Sequence, residues 1–199
     1  MLGAAPTTQC QKANFIVAQP TAPQALQTLL QAKYGDTVTV ANFGVPGTTA
    51  ANLLGGDGVN LPWAQQMAKS KANIVIVRYG INDSHTPSEP VNVFQSNEDE
   101  IVRIAKAAGK IVVLDTASPV IDPTCPQLPN YAAATRQAGY TWGITIVDLY
   151  AQLSAMPGWD SMLSDGVHPT ATGYQIIAQA EFDALDPVVG FDLAHLSGE

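Results

Sequence analysis

Hydrophobic residues gather in four short runs along the chain, and each run is rich in valine and isoleucine. The runs cover residues 36–43, 72–80, 110–117 and 143–150. Alternation between apolar and polar positions is weak inside them, which is typical of strands that are buried on both faces of a parallel sheet. The pattern therefore predicts four strands.

Segments with helical spacing of apolar residues separate these runs. The predicted helices cover residues 23–33, 62–71, 91–108, 128–139 and 170–185. Strands that alternate with helices predict a single α/β doubly wound domain over 1–199, with an irregular segment over 1–22 and a motif-free tail over 187–199. In such sheets ligands bind beyond the carboxyl ends of the strands, so the segments after the runs hold the candidate chemistry.

Composition and charge narrow the partners of this domain. Hydrophobic residues make up 46% of the chain and charged ones 13%, which is enough apolar material for a core. The net charge of −8 argues against nucleic acid or a membrane surface as a partner. No apolar run approaches the ~20 residues of a membrane span. Arg78 stands inside an apolar run and is expected to pair with a carboxylate.

Two cysteines, Cys10 and Cys125, are far apart in the sequence and have no histidine cluster near them. A zinc site is therefore not expected, and one disulfide between them is predicted. Low lysine content together with much glutamine, threonine and alanine indicates a secreted or periplasmic protein, where such a bond persists. The N-terminal residues lack the basic and apolar regions of a signal peptide.

Small polar motifs follow the first two runs. Gly44 and Gly47 lie in a loop after the first run, where glycine permits a positive φ and close approach of a ligand to backbone N–H groups. Asn82 and Asp83 follow the second run in Gly-x-Asn-Asp, and the amide of an asparagine there can stabilise an oxyanion. Each motif alone is also compatible with an ordinary turn.

The sharpest local feature is Asp165-Gly-Val-His168-Pro169 near the C-terminus. An imidazole that acts as a general base needs an acceptor at Nδ1, so that Nε2 stays free. A carboxylate three residues earlier, turned back by a glycine, can supply that acceptor. Pro169 suits the first turn of the helix that follows. We interpret Asp165 and His168 as an acid–base pair.

Taken together, Gly47, Asn82 and the Asp165/His168 pair resemble the motif blocks of the SGNH (GDSL-type) hydrolase family in order and spacing. The resemblance implies a flavodoxin-like three-layer α/β/α fold with a mostly parallel sheet. It also implies ester hydrolysis through a serine acyl-enzyme, with a small-molecule or glycan ester as partner and no cofactor or metal. Gly47 and Asn82 would donate to the oxyanion, His168 would be the base and Asp165 would orient it.

The family's nucleophile block, Gly-Asp-Ser, does not occur in this sequence, and the first serine is Ser70. Three explanations are open. The chain starts just past the nucleophile, which we favour, with residues 1–3 as the continuation of that block. Alternatively, residues 13–19 form the first strand, so that Thr21 stands near the place of the serine. The last alternative is that Cys10, Thr7 or Thr8 replaces it.

Loss of the first strand would remove a central ladder partner from the sheet. Net stabilities of only ~5–15 kcal/mol do not tolerate such a loss without replacement, so residues 13–18 are predicted to fill the gap. The resulting expectation is an esterase or deacetylase for short acyl esters, acetylated sugars among them, impaired by the missing serine. The alternative is a non-catalytic module on the same fold that binds a carbohydrate or an ester.

Overall fold

The computed structural model describes residues 18–85 and 87–197. In this part of the chain three strands form one parallel sheet in the order β1-β2-β3. They are β1 (Ile74–Arg78), β2 (Ile111–Asp115) and β3 (Thr145–Val147), each inside a run predicted to be a strand. The register pairs Arg78 with Asp115 and Asp115 with Val147, so the three carboxyl ends lie at one edge.

Eight α-helices and one 3₁₀ helix surround the sheet in the described part of the chain. The helices are α1 (Ala22–Tyr34), α2 (Ala50–Gly55), α3 (Trp63–Lys69), α4 (Ile81–Ser84), α5 (Val91–Ala107), α6 (Leu128–Trp142), α7 (Leu149–Ser154) and α8 (Ala171–Ser197), and the 3₁₀ helix is Trp159–Met162. Five of the α-helices match predicted ones. The short helices α2, α4 and α7 were not predicted; α4 directly follows the second predicted run, α2 begins after the Gly47 loop, and α7 begins within the last two residues of the fourth run.

Two hydrophobic clusters, one on each face of the sheet, make the fold a three-layer α/β/α sandwich. Val77, Val112 and Leu114 pack on one face against α2, α3, α5 and α6. Ile76 and Val113 lie on the other face, against α1, α7 and α8. Successive residues of a strand point to opposite faces, so this division follows from the period of two. The predicted α/β fold class is confirmed.

The prediction of a strand over residues 36–43 is wrong. This segment is extended but joins no ladder in the described part of the chain. The N–H of Val40 donates to Oε1 of Gln27 at 3.0 Å, and the C=O of Val38 accepts from Nε2 of Gln31 at 2.9 Å. Side chains of α1 thus take two of the backbone groups that a strand would pair, and only the two valines turn toward the core.

The predicted boundaries at the two ends of the chain also need correction. α8 does not stop before Pro187 but continues to Ser197, so most of the predicted tail over 187–199 is helix. Val189 is buried in the cluster beneath α1, which holds this last part of the helix on the core. At the other end, α1 begins at Ala22, one residue inside the predicted irregular segment 1–22. The predicted strand over 13–18 falls outside the described residues except for its last position.

Candidate active site

The first half of the candidate site is the turn that precedes α2. Gly47 has φ 78°, a left-handed conformation that strains any side-chain-bearing residue. Nδ2 of Asn82, in α4, donates to the C=O of Thr48 at 2.9 Å. One amide hydrogen of Asn82 therefore fixes the side chain beside the Gly47 turn, and the second remains for a ligand. In the described part of the chain the N–H of Gly47 makes no hydrogen bond.

Asp83 connects this turn with the end of β1. Its Oδ1 accepts from the N–H of Ala50 at 2.9 Å, and its Oδ2 accepts from the N–H of Gly80 at 2.9 Å. Burial raises the pKa of this carboxyl to about 6, although both backbone N–H groups act to lower it. Because each oxygen holds a different loop, the carboxylate of Asp83 fixes the spacing between the Gly47 turn and the loop of Asn82.

The second half of the site is the pair that the sequence predicts, and the structure brings its members together. Oδ2 of Asp165 lies 2.9 Å from Nδ1 of His168, and Oδ1 accepts from the N–H groups of Val167 and His168 at 3.0 and 2.8 Å. Gly166 has φ 92°, which allows the sharp turn between them. Burial would raise the pKa of Asp165, but these hydrogen bonds hold it at about 2.

The ring of His168 is thus oriented by a group that stays ionised at neutral pH. If Nδ1 carries the proton that Asp165 accepts, Nε2 is the basic nitrogen. A backbone hydrogen bond also fixes the loop that carries His168, because the N–H of Thr170 donates to the C=O of Met162 at 2.7 Å. This arrangement can remove a proton from a hydroxyl group or from water.

The loop after β2 links the two halves. The N–H of Ile121 donates to the C=O of Gly166 at 2.8 Å. Gly166 lies two residues before His168. In the same loop, Ala117 and Cys125 pack with Ile81, which adjoins Asn82. The described contacts therefore place both halves around one loop at the carboxyl edge of the sheet, as the parallel topology predicts.

Most of the candidate nucleophiles lie outside the residues that the structure describes. Thr21 is the N-cap of α1, and its hydroxyl donates to Oε1 of Gln24 at 3.0 Å. Cys10, Thr7 and Thr8 lie outside the described residues, so their roles stay predictions. The same holds for the pairing of Cys10 with Cys125, although Cys125 is buried in the loop after β2.

Two sets of buried acidic side chains near the site were not predicted: Asp115 with Glu181, and Glu98. Glu181 is the expected carboxylate partner of Arg78, since Nη1 of Arg78 lies 3.5 Å from its Oε1. Asp115 lies beside this pair, and burial together with the charge of Glu181 raises its pKa, against the influence of Arg78. Glu98 on α5 is 1% exposed. Burial, followed by the charge of Asp83, raises the pKa of Glu98 to about 8.

The sequence carried a signal for the buried acid on α5. Phe94, Glu98, Ile101 and Ala105 recur at helical spacing and form one buried stripe of α5. A glutamate in such a stripe predicts a buried carboxyl. No comparable local pattern marks Asp115, because it ends a strand whose residues are all apolar up to that point.

The described residues contain no group of three or more histidine, cysteine or acidic side chains that could hold a metal ion. Within the same part of the chain, none of the helices combines the length and the apolar character needed to cross a membrane.

Comparison with known proteins identifies the family and the fold. The model of the GDSL-like lipase/acylhydrolase family matches residues 7–176. Similar solved structures include a lipase/acylhydrolase from Enterococcus faecalis, with 21% identity, a TM-score of 0.70, and coverage of 83% of this chain and 85% of that chain. The acetylxylan esterase Axe2 from Geobacillus stearothermophilus has 21% identity and a TM-score of 0.71, with 83% and 80% covered. No curated protein matches the sequence. The chain belongs to the GDSL-like lipase/acylhydrolase family.

Proposed function

We propose that the site hydrolyses short acyl esters, with acetylated sugars as one candidate class of substrate. The observation that carries the proposal is the contact of 2.9 Å between Asp165 and Nδ1 of His168, which prepares the imidazole as a base. The acetylxylan esterase among the similar structures makes an acetylated glycan a reasonable first substrate to test.

The chemistry follows from the placement of donors and base. Nε2 of His168 takes the proton of the attacking oxygen as that oxygen adds to the ester carbonyl. Negative charge then develops on the carbonyl oxygen, where the N–H of Gly47 and the free hydrogen of Asn82 donate. When the tetrahedral intermediate collapses, the C–O bond to the alcohol breaks and His168 returns the proton to the leaving alcohol. Asp165 keeps its charge throughout and stabilises the imidazolium.

The absence of Gly-Asp-Ser from the sequence supports slow turnover. If neither Cys10 nor a threonine takes the place of the family's serine, the attacking oxygen is that of water, and no acyl-enzyme forms. Water that His168 deprotonates beside the oxyanion donors supplies a slower route, because general-base catalysis and oxyanion stabilisation do not themselves need the serine. We therefore expect weak hydrolysis from this chain. A non-catalytic module that binds a carbohydrate or an ester is the second candidate, and the same missing serine favours it.

The test is the release of nitrophenol from nitrophenyl acetate. Replacing Asn82 by Ala removes one oxyanion donor and is expected to lower kcat by at least about tenfold with little change in KM. Asn92→Ala, on the exposed side of α5, is the matched control and is expected to keep the wild-type rate. Equal rates in both variants would remove Asn82 from the mechanism. Ester binding without any hydrolysis would favour the binding module.

We also infer that the protein acts outside the cytoplasm. The low lysine content and the two widely separated cysteines support an oxidising compartment. Cell fractionation tests this, since recovery of the protein only in the cytoplasmic fraction would contradict it.

A further inference from the structure

Exposed apolar side chains concentrate around the candidate site. In the described part of the chain, six large hydrophobic residues are exposed: Phe43, Val59, Leu61, Val93, Ile121 and Tyr140. Four of them, all except Val93 and Tyr140, lie in loops that adjoin or contact the site. We call Phe43, Val59, Leu61 and Ile121 the apolar rim. Its members are exposed by 70%, 77%, 43% and 57%, respectively.

Three rim residues lie beside the Gly47 turn on loops that are held in place. Nδ2 of Asn60 donates to the C=O of Phe43 at 3.2 Å and thereby ties the loop of Val59 and Leu61 to the chain leading into Gly47. Oδ1 of Asp57 accepts from the N–H of Val59 at 2.8 Å. Because their backbone is fixed in this way, these side chains form a prepared surface.

The fourth rim residue lies on the histidine side. Ile121 is bonded through its N–H to the C=O of Gly166. A Cβ on Gly166 would lie 3.0 Å from Cγ1 of Ile121, so the isoleucine packs directly over the turn that shapes the Asp165/His168 pair. Apolar side chains thus border both halves of the site.

The charge distribution favours a neutral ligand at this edge. The segments 36–62, 79–90, 116–127 and 148–170, which carry the site loops, contain no lysine or arginine. Lys69 and Lys71 precede β1, and Lys106 and Lys110 precede β2, so these cations lie toward the opposite edge of the sheet. Arg78 at the end of β1 already faces the carboxylate of Glu181. An anionic headgroup or phosphoester would therefore find acidic side chains in the rim loops and no lysine or arginine in these four segments.

We propose that the apolar rim binds the acyl chain of neutral esters and so favours acyl groups longer than acetyl. The proposal rests on the proposed function and specifies its substrate class. The donors of Gly47 and Asn82 adjoin loops where Phe43, Leu61 and Ile121 are exposed, so a chain attached to a carbonyl bound there has apolar side chains within the surrounding loops. Each methylene that leaves water against these side chains contributes to binding.

Binding of neutral ketones tests the rim without any need for hydrolysis. The probes are methyl ethyl ketone, methyl butyl ketone and methyl hexyl ketone, which present a carbonyl and a chain but no leaving group. Kd is measured by NMR titration of the full chain. We expect binding to tighten about two- to threefold for each added methylene. Phe43→Ser and Leu61→Ser are expected to reduce this dependence on chain length to under about 1.5-fold.

Val93→Ser and Tyr140→Ser are the matched controls, because they remove exposed apolar side chains elsewhere and should keep the wild-type dependence. If Kd depends on chain length equally in the rim variants and the control variants, the proposal is overturned. It is also overturned if the Kd of wild type does not change with chain length. Hydrolysis of nitrophenyl acetate is measured for the same wild-type and rim-variant proteins and for His168→Ala. This measurement separates failure of the rim proposal from failure of the proposed function. If wild type and His168→Ala hydrolyse nitrophenyl acetate equally fast, the proposed function is refuted. The ketone titrations then decide separately whether the apolar rim binds an apolar chain.

Discussion

The buried carboxyl of Glu98 makes a stability prediction that can be worked out from the structure. The side chain is 1% exposed on α5, and its Oε1 has no hydrogen-bond partner in the described part of the chain. Burial and the neighbouring charge of Asp83 raise its pKa from the ordinary 4.5 to about 8. Replacing Glu98 by Gln keeps the size of the side chain and removes its ability to ionise.

The sign and size follow from proton linkage. The unfolded chain releases the proton of Glu98 near pH 4.5, whereas the folded chain keeps it to about pH 8. Folding therefore takes up a proton between these values, and the free energy of unfolding falls as the pH rises through this window. At about 1.4 kcal/mol per pH unit, the loss reaches about 3 kcal/mol at pH 7 and stays under about 1 kcal/mol at pH 5.

Urea unfolding of wild type and Glu98→Gln at pH 5 and pH 7 is the assay. We expect the stability of the variant relative to wild type to rise by about 2 kcal/mol between the two pH values. Asp83 titrates in both proteins, so its contribution largely cancels in the difference. Glu100→Gln on the same helix is the control, because Glu100 is exposed and paired with Arg103. A difference between Glu98→Gln and wild type that is flat in pH would refute the buried, protonated carboxyl.

Three further substitutions test the site. Asp165→Asn is expected to lower the slow kcat at least about tenfold, because an amide next to Nδ1 of His168 favours the wrong tautomer; an unchanged kcat for nitrophenyl acetate would rule out this orienting role. Asp83→Asn replaces one acceptor oxygen by a donor facing a backbone N–H and should lower kcat more than KM rises, whereas a change in KM alone would contradict its positioning role. Gly173→Ala would place a Cβ 2.8 Å from the C=O of Met162 and should lower the free energy of unfolding by about 1–3 kcal/mol; a neutral result in urea unfolding would show that the start of α8 can shift.

Sequence reasoning succeeded where a local pattern determines the structure. Three valine- and isoleucine-rich runs became β1, β2 and β3, because their apolar residues are buried between two helical layers. The Asp165/His168 contact was also predictable, since a carboxylate, a glycine and a histidine at this spacing leave the turn few alternatives. Both features depend on residues that are close in the sequence.

The misses involve tertiary contacts that no local pattern shows. Residues 36–43 have strand composition, but Gln27 and Gln31 of α1 bind two of the backbone groups that a ladder would use. Helix α8 continues through Pro187, and Val189, two residues beyond it, is buried against the core. Asp83 read as an ordinary turn residue, and only the fold shows that Ala50, 33 positions earlier, donates to it.

The central claim is that His168, oriented by Asp165, supplies the base for ester hydrolysis. The most direct test compares initial rates of nitrophenyl acetate hydrolysis by wild type, His168→Ala and His195→Ala, with the last as a control for loss of a histidine outside the motif. We expect a slow rate above that of buffer in wild type and in His195→Ala, and no rate above buffer in His168→Ala. Equal rates in wild type and His168→Ala would contradict it.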